Sequence, residues 1–262
     1  FVLPMDDKKR WVFKTHPNDD IIGAGLIAAM TKRGVKTIGF IGYNDPYGES
    51  WFKAISPLAE KAGIKIIASE RYSRQDTSVT GQVVKIIAAK PDAVLVAGVA
   101  AGAALPHGQL VDAGFKGPIF HTHGSATGAF IQIGAKKVEG ALVVGPALLV
   151  IDEIADANPV KKVAMDFIGP YEKQYGQRPP IFGAGVYDAS LLLGRAIPEA
   201  AKKAKPGTAE FRAALRDAIE ATKDMTMSQG IVSMTPQDHS GYDHRGTVLI
   251  TVKDGKFSLV KD

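Results

Sequence analysis

The sequence predicts an α/β fold built on a parallel sheet, and three observations support this prediction. Short apolar runs without charges recur through residues 18–144, and such runs are typical of strands that are covered on both faces. Segments with apolar residues at helical spacing alternate with these runs. The 262 residues also provide enough material for one large α/β domain or two smaller ones.

An extended piece at residues 11–15 and a helix from Asn18 to Gly34 open the chain. The clearest strand follows at residues 37–41, and the turn after it, at residues 43–48, is rich in Asn, Asp, Pro and Gly. Apolar residues then recur at helical spacing up to a glycine that ends the helix. We expect Pro57 to bend or divide this helix.

Four further strands complete the predicted sheet, at residues 64–68, 93–97, 118–121 and 141–144. The helical segments between them, one of which should begin at residues 76–77, predict a parallel sheet with right-handed crossovers. The pattern changes after Gly145, where residues 146–157 predict an irregular connection.

Three helical segments follow this connection, at residues 159–175, 186–203 and 208–221, with no strand between them. These helices need a sheet to pack on, and this part of the sequence does not predict one. The last segment is strand-like, with a strand at residues 230–234 and a final hairpin. Asp254-Gly255 is a strong signal for the two-residue turn of that hairpin.

The composition excludes several classes of protein. Cysteine is absent, which excludes disulfides, thiolate catalysis and cysteine-ligated metals. The net charge of +5 comes from scattered Lys and Arg, which predicts a solvated surface and not a nucleic-acid-binding face. No segment approaches the roughly 18 apolar residues of a membrane span. The opening FVLPMDDKKRW is not a signal peptide, so we expect a cytosolic protein or a processed or truncated one.

No motif predicts catalysis. Residues 23–28 imitate a dinucleotide fingerprint, but they lie inside a predicted helix, where close helix packing explains the glycines. The serine within residues 124–128 is misplaced for a nucleophile elbow. The two histidines and two aspartates of residues 238–244 form either a metal site or a solvated turn. We therefore expect a protein that is not an enzyme and that uses no cofactor and no metal.

Three side chains suggest a binding site, two of them near the carboxyl ends of predicted strands, where open α/β sheets bind ligands. Tyr47 either packs on its own loop or forms an aromatic wall or hydroxyl donor at a pocket. His123 is either capped and solvated or faces a ligand. Phe182, between a proline and a glycine, is either a core residue or a ligand contact.

Several stretches carry a family resemblance that covers nearly the whole chain: KTIGFIGYNDPYGESW, ERYSRQDTSVTGQVVKIIAAKPDAVLVAG, VEGALVVGPALL, GVYDASLLL and the closing GIVSMTPQDHSGYDHRGTVLITVKDGKFSLV. The chain resembles the periplasmic substrate-binding proteins of ABC transporters, of the branched-chain amino-acid type. This resemblance implies the type I periplasmic-binding-protein fold. In that fold two doubly wound parallel-sheet lobes, joined by three crossings, close around a ligand like a clamp.

The resemblance assigns the parts of the chain to these lobes. Residues 1–17 are an extended segment and the first crossing, and residues 18–144 are a ligand-binding α/β lobe. Residues 145–227 are the returning helical part of the other lobe, and residues 228–262 hold the third crossing, near residues 228–230, and the C-terminal hairpin. Family members carry the main sheet of that other lobe in a segment before FVLPMDDKKRW. We therefore expect the first lobe to be incomplete in this chain.

The resemblance also implies ligand-binding residues. Tyr47 matches a tyrosine that is turned towards the ligand, Val99 and Ala100 match the ligand-facing turn of the next strand, and Phe182 matches an aromatic contact from the other lobe. His123 stands where amino-acid binders have an acidic residue that pairs with the ligand ammonium. An imidazole does not offer that fixed negative charge, and a buried charge without a partner is costly.

We therefore expect a periplasmic protein that binds an aromatic or other organic carboxylate in the cleft between the lobes and delivers it to an ABC transporter permease. Neither nucleic acid nor stable membrane insertion is expected. A branched-chain or other amino acid is the alternative ligand, and a ligand-sensing regulatory domain of the same fold is the alternative role. A hydrolase or dehydrogenase is disfavoured because its motifs are missing.

Overall fold

A computed structural model describes residues 4–261, and the chain divides into two compact units. Unit 1 comprises Phe1–Asn18 and Pro146–Gly246, and unit 2 comprises Asp19–Gly145 and Thr247–Asp262. The last change of unit therefore comes after Gly246, later than the residues 228–230 expected from the sequence. Residues 225–246 stay with unit 1 because Asp188 of that unit binds the backbone of Ser228 and the side chain of Tyr242.

The strands are, in chain order, β1 Thr37–Tyr43, β2 Lys65–Tyr72, β3 Ala93–Ala97, β4 Ile119–His121, β5 Leu142–Pro146, β6 Met225–Thr226, β7 Ile231–Val232, β8 Thr247–Lys253 and β9 Lys256–Leu259. Unit 2 contains a seven-stranded sheet in the order β2-β1-β3-β4-β5-β8-β9. The first five of these strands are parallel neighbours, which confirms the predicted sheet. The antiparallel hairpin of β8 and β9 turns at Asp254 and Gly255, as predicted.

The helices are α1 Asp19–Lys32, α2 Pro46–Lys61, α3 Thr80–Ala88, α4 Ala101–Asp112, α5 Gly128–Gly134, α6 Pro159–Tyr175, α7 Ile181–Ala201 and α8 Ala209–Glu220. The first five lie in unit 2 and the last three in unit 1. Within residues 4–261, no helix is long and apolar enough to cross a membrane.

Two hydrophobic clusters form the core of unit 2, because successive strand side chains point to opposite faces. Phe40 of β1 joins the cluster formed with α1 and α2, whereas Ile41 joins the cluster formed with α3, α4 and α5. A Cβ on Gly25 of α1 would lie 2.9 Å from Val144 Cγ1. The glycines of residues 23–28 therefore serve close helix packing, as the sequence analysis expected.

The structure corrects several helix boundaries in the prediction. Helix α2 continues through Pro57 to Lys61 without a division. Helix α3 begins at Thr80 and not at residues 76–77, because the Asp76 carboxylate accepts a hydrogen bond from Ser73 N–H in the preceding turn.

In unit 1, helix α7 begins at Ile181, five residues before the predicted start at Val186. Residues predicted to be irregular include a 3-10 helix at Ala147–Glu153. The predicted extended segment contains a 3-10 turn at Lys9–Trp11, and the part of it at residues 1–3 lies outside the described residues.

Unit 1 is mainly helical. In its described part, the strands β6 and β7 have two residues each and form a two-stranded sheet, and Val232 of β7 also bridges to Tyr242. Val186, Leu193 and Ile197 of α7 remain exposed. The expectation of three helices without a large sheet of their own therefore agrees with the structure of this unit.

Candidate functional site

The first turn of α2 fixes Tyr47 at the carboxyl end of β1. The Asp45 carboxylate caps the helix by accepting hydrogen bonds from Tyr47 N–H at 2.9 Å and Gly48 N–H at 3.2 Å. Asp45 also accepts a hydrogen bond from Arg74. Partial burial raises the pKa of Asp45, but the hydrogen bonds from Arg74 and the helix backbone outweigh it and lower the pKa overall. The cap is therefore a carboxylate at neutral pH.

The hydroxyl of Tyr47 is held inside the protein. It lies 2.8 Å from Thr122 Oγ1 and 3.5 Å from the Gly98 carbonyl oxygen. Burial raises the pKa of Tyr47 to about 12, so the phenol is neutral. Because the hydroxyl already has these partners, the ring rather than the hydroxyl is the part of Tyr47 suited to a ligand.

Three turns meet around this hydroxyl, after β1, β3 and β4. A Cβ on Gly124 would lie 2.5 Å from Tyr47 Oη and 3.0 Å from Val99 Cγ2. Ala100 donates its N–H to the Gly124 carbonyl oxygen at 2.9 Å and has a φ of +48°. L-residues seldom adopt this conformation, and such strain is found at functional sites more often than elsewhere.

His123 begins a 3-10 turn, His123–Ser125, directly after β4. Its ring lies 5.6 Å from the ring of Trp51, which belongs to the cluster formed with α1 and α2. His121 lies against Phe130 of the opposite cluster. The two histidines therefore lie against opposite faces of the sheet, because His123 belongs to the turn beyond β4 and not to the strand. Tyr47, Val99, Ala100 and His123 are all half-buried at the same edge.

Phe182 lies in the other unit, in the first turn of α7. Its side chain is 54% exposed, so it is not a core residue of the unit. Its ring meets the ring of His16 edge to face at 6.1 Å. Four of the five predicted site residues thus come together in unit 2, and Phe182 belongs to unit 1.

A serine and two histidines form a buried chain that the sequence analysis did not find. His121 Nδ1 lies 3.1 Å from Ser125 Oγ, and His121 Nε2 lies 2.8 Å from His107 Nδ1. Burial lowers the pKa of His121 well below its ordinary value and lowers that of His107 to about 4, so both rings are neutral. All three side chains are buried. The chain of side chains joins the turn that carries His123 to helix α4.

His239 is neither a metal ligand nor part of a solvated turn. It is fully buried, and its ring nitrogens lie 3.0 Å from the Val12 carbonyl oxygen and 3.0 Å from Glu220 Oε1. Its ring also stacks on Phe13 at 4.1 Å. Within the described residues, no group of three or more His, Cys, Asp or Glu side chains could hold a metal ion.

Three further side chains at the edge were missed. Thr122 is fully buried beside Tyr47. The indole N–H of Trp51 has no hydrogen-bond acceptor among residues 4–261. Arg74 follows β2 and lies over the ring of Tyr43 at 4.2 Å. The residue order alone carries no signal for these contacts, since each joins different elements of the fold.

Comparison with known proteins shows which family and which solved structures this chain resembles. The family described as periplasmic binding protein matches residues 3–256. No curated protein matched the sequence. An extracellular ligand-binding receptor from Rhodopseudomonas palustris HaA2 is 45% identical, with a TM-score of 0.92, over 99% of this chain and 72% of that one.

Two other solved structures are informative. A second extracellular ligand-binding receptor from Rhodopseudomonas palustris is 41% identical over 98% of this chain and 72% of that one, with a TM-score of 0.92. The leucine-binding protein LivK from Thermotoga maritima is 21% identical over 97% of this chain and 68% of that one, with a TM-score of 0.82, and this likeness shows the fold alone. The chain therefore belongs to the periplasmic binding protein family and has the type I fold of that family.

Proposed function

We propose that this protein binds an aromatic or other organic carboxylate at the carboxyl edge of the unit 2 sheet and delivers it to an ABC transporter permease in the periplasm. Membership of the periplasmic binding protein family supports the solute-binding role. The observation that carries the choice of ligand is the half-buried His123 beside Trp51, at a position where the family resemblance implies an acidic residue.

An amino-acid ligand would bring an ammonium group to this edge. A desolvated ammonium needs a carboxylate, and its burial without one is strongly unfavourable. Asp45, one acidic neighbour of Tyr47, already caps α2 and pairs with Arg74. The charge of Asp19 also acts on Tyr47, and its carboxylate accepts a hydrogen bond from Ser50. An acid or hydroxyl group needs only a hydrogen-bond donor, which an imidazole provides.

The ring of Tyr47 supplies an aromatic surface beside His123 in this proposal. Its hydroxyl is engaged by Thr122, which holds the ring in place for packing against a flat ligand. The contribution of Phe182, and of a cleft that closes over the ligand, stays a prediction from the family resemblance.

Thermal unfolding of the full chain tests the proposal against the amino-acid alternative. The ligand panel contains 4-hydroxybenzoate, 3-phenylpropanoate, leucine and isoleucine. We expect the aromatic acids to raise the melting temperature, since a ligand at 100 times its Kd adds about 2.7 kcal/mol of stability. Stabilisation by leucine or isoleucine alone would overturn the proposed ligand class. Isothermal titration calorimetry then gives the Kd of each ligand that stabilises.

A further inference from the structure

Arg74 has hydrogen-bond donors that the folded chain does not use. It lies in the turn after β2, and its side chain is 51% exposed. Its Nε donates to the Asp45 carboxylate. Within residues 4–261, neither of its two terminal nitrogens, Nη1 and Nη2, donates a hydrogen bond to the protein.

The guanidinium of Arg74 lies over an aromatic surface. Its central carbon lies 4.2 Å from the ring centre of Tyr43 and 6.0 Å from that of Tyr47. A guanidinium that stacks on a ring keeps its N–H groups in its own plane. The Asp45 carboxylate occupies the Nε edge of the guanidinium. The remaining end, with Nη1 and Nη2, has the fork geometry that binds a carboxylate through two parallel hydrogen bonds.

Arg71, in strand β2 just before this turn, is an arginine with a purely structural role. Its Nε and Nη2 both donate to the Glu49 carboxylate. Its Nη1 donates to Ser69 Oγ and to the Glu70 carbonyl oxygen. It also stacks on an aromatic ring, that of Phe52 at 4.6 Å. The two arginines therefore share a carboxylate partner and an aromatic partner, but only Arg74 keeps its terminal donors.

We propose that Arg74 binds the ligand carboxylate and thereby selects anionic ligands at this edge. The inference rests on the proposed function, and it assigns one end of the ligand to Arg74 and the other end to His123. The carboxylate meets Nη1 and Nη2 of Arg74, the ring lies beside Tyr47, and the far end of the ring faces His123. The 6.0 Å between the guanidinium and the ring of Tyr47 keeps both within reach of one aromatic acid.

Titration calorimetry with an acid and its amide tests the role of Arg74. The probes are 4-hydroxybenzoate with 4-hydroxybenzamide, and 3-phenylpropanoate with 3-phenylpropanamide. The variants are Arg74→Gln and, as the matched control, Arg71→Gln, which also removes one positive charge that pairs with a carboxylate. We expect Arg74→Gln to weaken acid binding about 10-fold to 100-fold, the range for a charge-assisted hydrogen bond, and to leave amide binding unchanged. The acid-to-amide ratio is the association constant for the acid divided by that for the amide. Arg71→Gln should keep the acid-to-amide ratio of the wild type.

Equal acid-to-amide ratios in Arg74→Gln and Arg71→Gln would overturn the role of Arg74, while acid binding by the wild type would leave the proposed function standing. Failure of the wild type to bind any aromatic acid would overturn both. Circular dichroism checks that each variant is folded. If Arg74→Gln is not folded, the acid-to-amide ratio is measured with Arg74→Lys. Lysine keeps a positive charge for Asp45 but lacks the two parallel donors of the guanidinium. A lower ratio in Arg74→Lys supports the inference, and an unchanged ratio contradicts it.

Discussion

Single glycines allow the turns of the candidate site to meet. A Cβ on Gly98 would lie 2.4 Å from Tyr72 Oη, and one on Gly102 would lie 1.9 Å from Tyr43 Oη. These tyrosines hydrogen-bond to the backbone of the β3 turn, at Val99 and Gly102. The close approach of hydroxyls to backbone therefore depends on the absence of side chains at these positions.

We expect Gly124→Ala to destabilise the protein by about 1–3 kcal/mol, the usual cost of an overpacked site. Its Cβ would lie 2.5 Å from Tyr47 Oη and 2.9 Å from the Gly98 carbonyl oxygen, which is backbone and cannot rotate away. Urea unfolding measures the change. Gly128→Ala is the matched control in the following helix, because a Cβ there meets nothing within 4 Å. Equal stability of the two variants would contradict this account of Gly124.

The replacement His123→Asp tests the proposed ligand selectivity at a single residue. The carboxylate supplies the fixed negative charge that an ammonium needs, so binding should shift from organic acids towards leucine. We expect the ratio of the two Kd values to change by about 10-fold or more, since the new carboxylate attracts the ammonium group of leucine. Titration of 4-hydroxybenzoate and leucine into both proteins gives the ratio. An unchanged ratio would show that His123 does not select the ligand.

At the level of elements, the chain of Ser125, His121 and His107 joins the turn after β4 to helix α4. Between His107 Nδ1 and His121 Nε2, one nitrogen donates and the other accepts. The second nitrogen of His121 pairs with the Ser125 hydroxyl, which can donate or accept. If both rings were protonated, two N–H groups would face one another and the chain would break.

Acid should therefore weaken the fold through this pair. Each histidine has an ordinary pKa of 6.5 and a lower one in the fold, so the unfolded chain binds more protons as the pH falls below 6.5. The free energy of unfolding should drop by up to about 1.4 kcal/mol per pH unit for each histidine. Urea unfolding between pH 7 and about 4.5 measures the slope, and His107→Leu with His121→Met should reduce it. The same slope in that double variant would exclude the pair as its source.

The strand and helix order of unit 2 was predictable because buried parallel strands leave uncharged apolar runs in the sequence. The contacts of the site were not, because their partners belong to different elements. Arg74 and Asp45 lie 29 residues apart, and His107 and His121 lie 14 apart. Helix α7 starts at Ile181, directly after Pro180 at its N-cap, five residues earlier than the sequence predicts.

Over the molecule as a whole, the long-range contacts of unit 1 converge on one buried carboxylate. Asp188 accepts hydrogen bonds from Ser228 N–H at 2.7 Å, Gln229 Nε2 at 3.1 Å and Tyr242 Oη at 2.8 Å. Gln229 in turn donates to the Thr15 carbonyl oxygen at 3.1 Å. One side chain thus joins three segments that are far apart in the sequence. With so little sheet in the described part of this unit, these bonds largely fix its loops.

We expect Asp188→Asn to be strongly destabilising, because the amide nitrogen cannot accept and leaves buried donors without a partner. The cost is about 1–3 kcal/mol for each donor left unsatisfied. Asp166→Asn is the matched control, since Asp166 is exposed and pairs with Lys162, one helical turn away, and exposed pairs of this kind add little. Urea unfolding followed by tryptophan fluorescence, to which Trp11 of unit 1 and Trp51 of unit 2 both contribute, compares the two variants. If both unfold at the same urea concentration as the wild type, Asp188 does not hold these segments together.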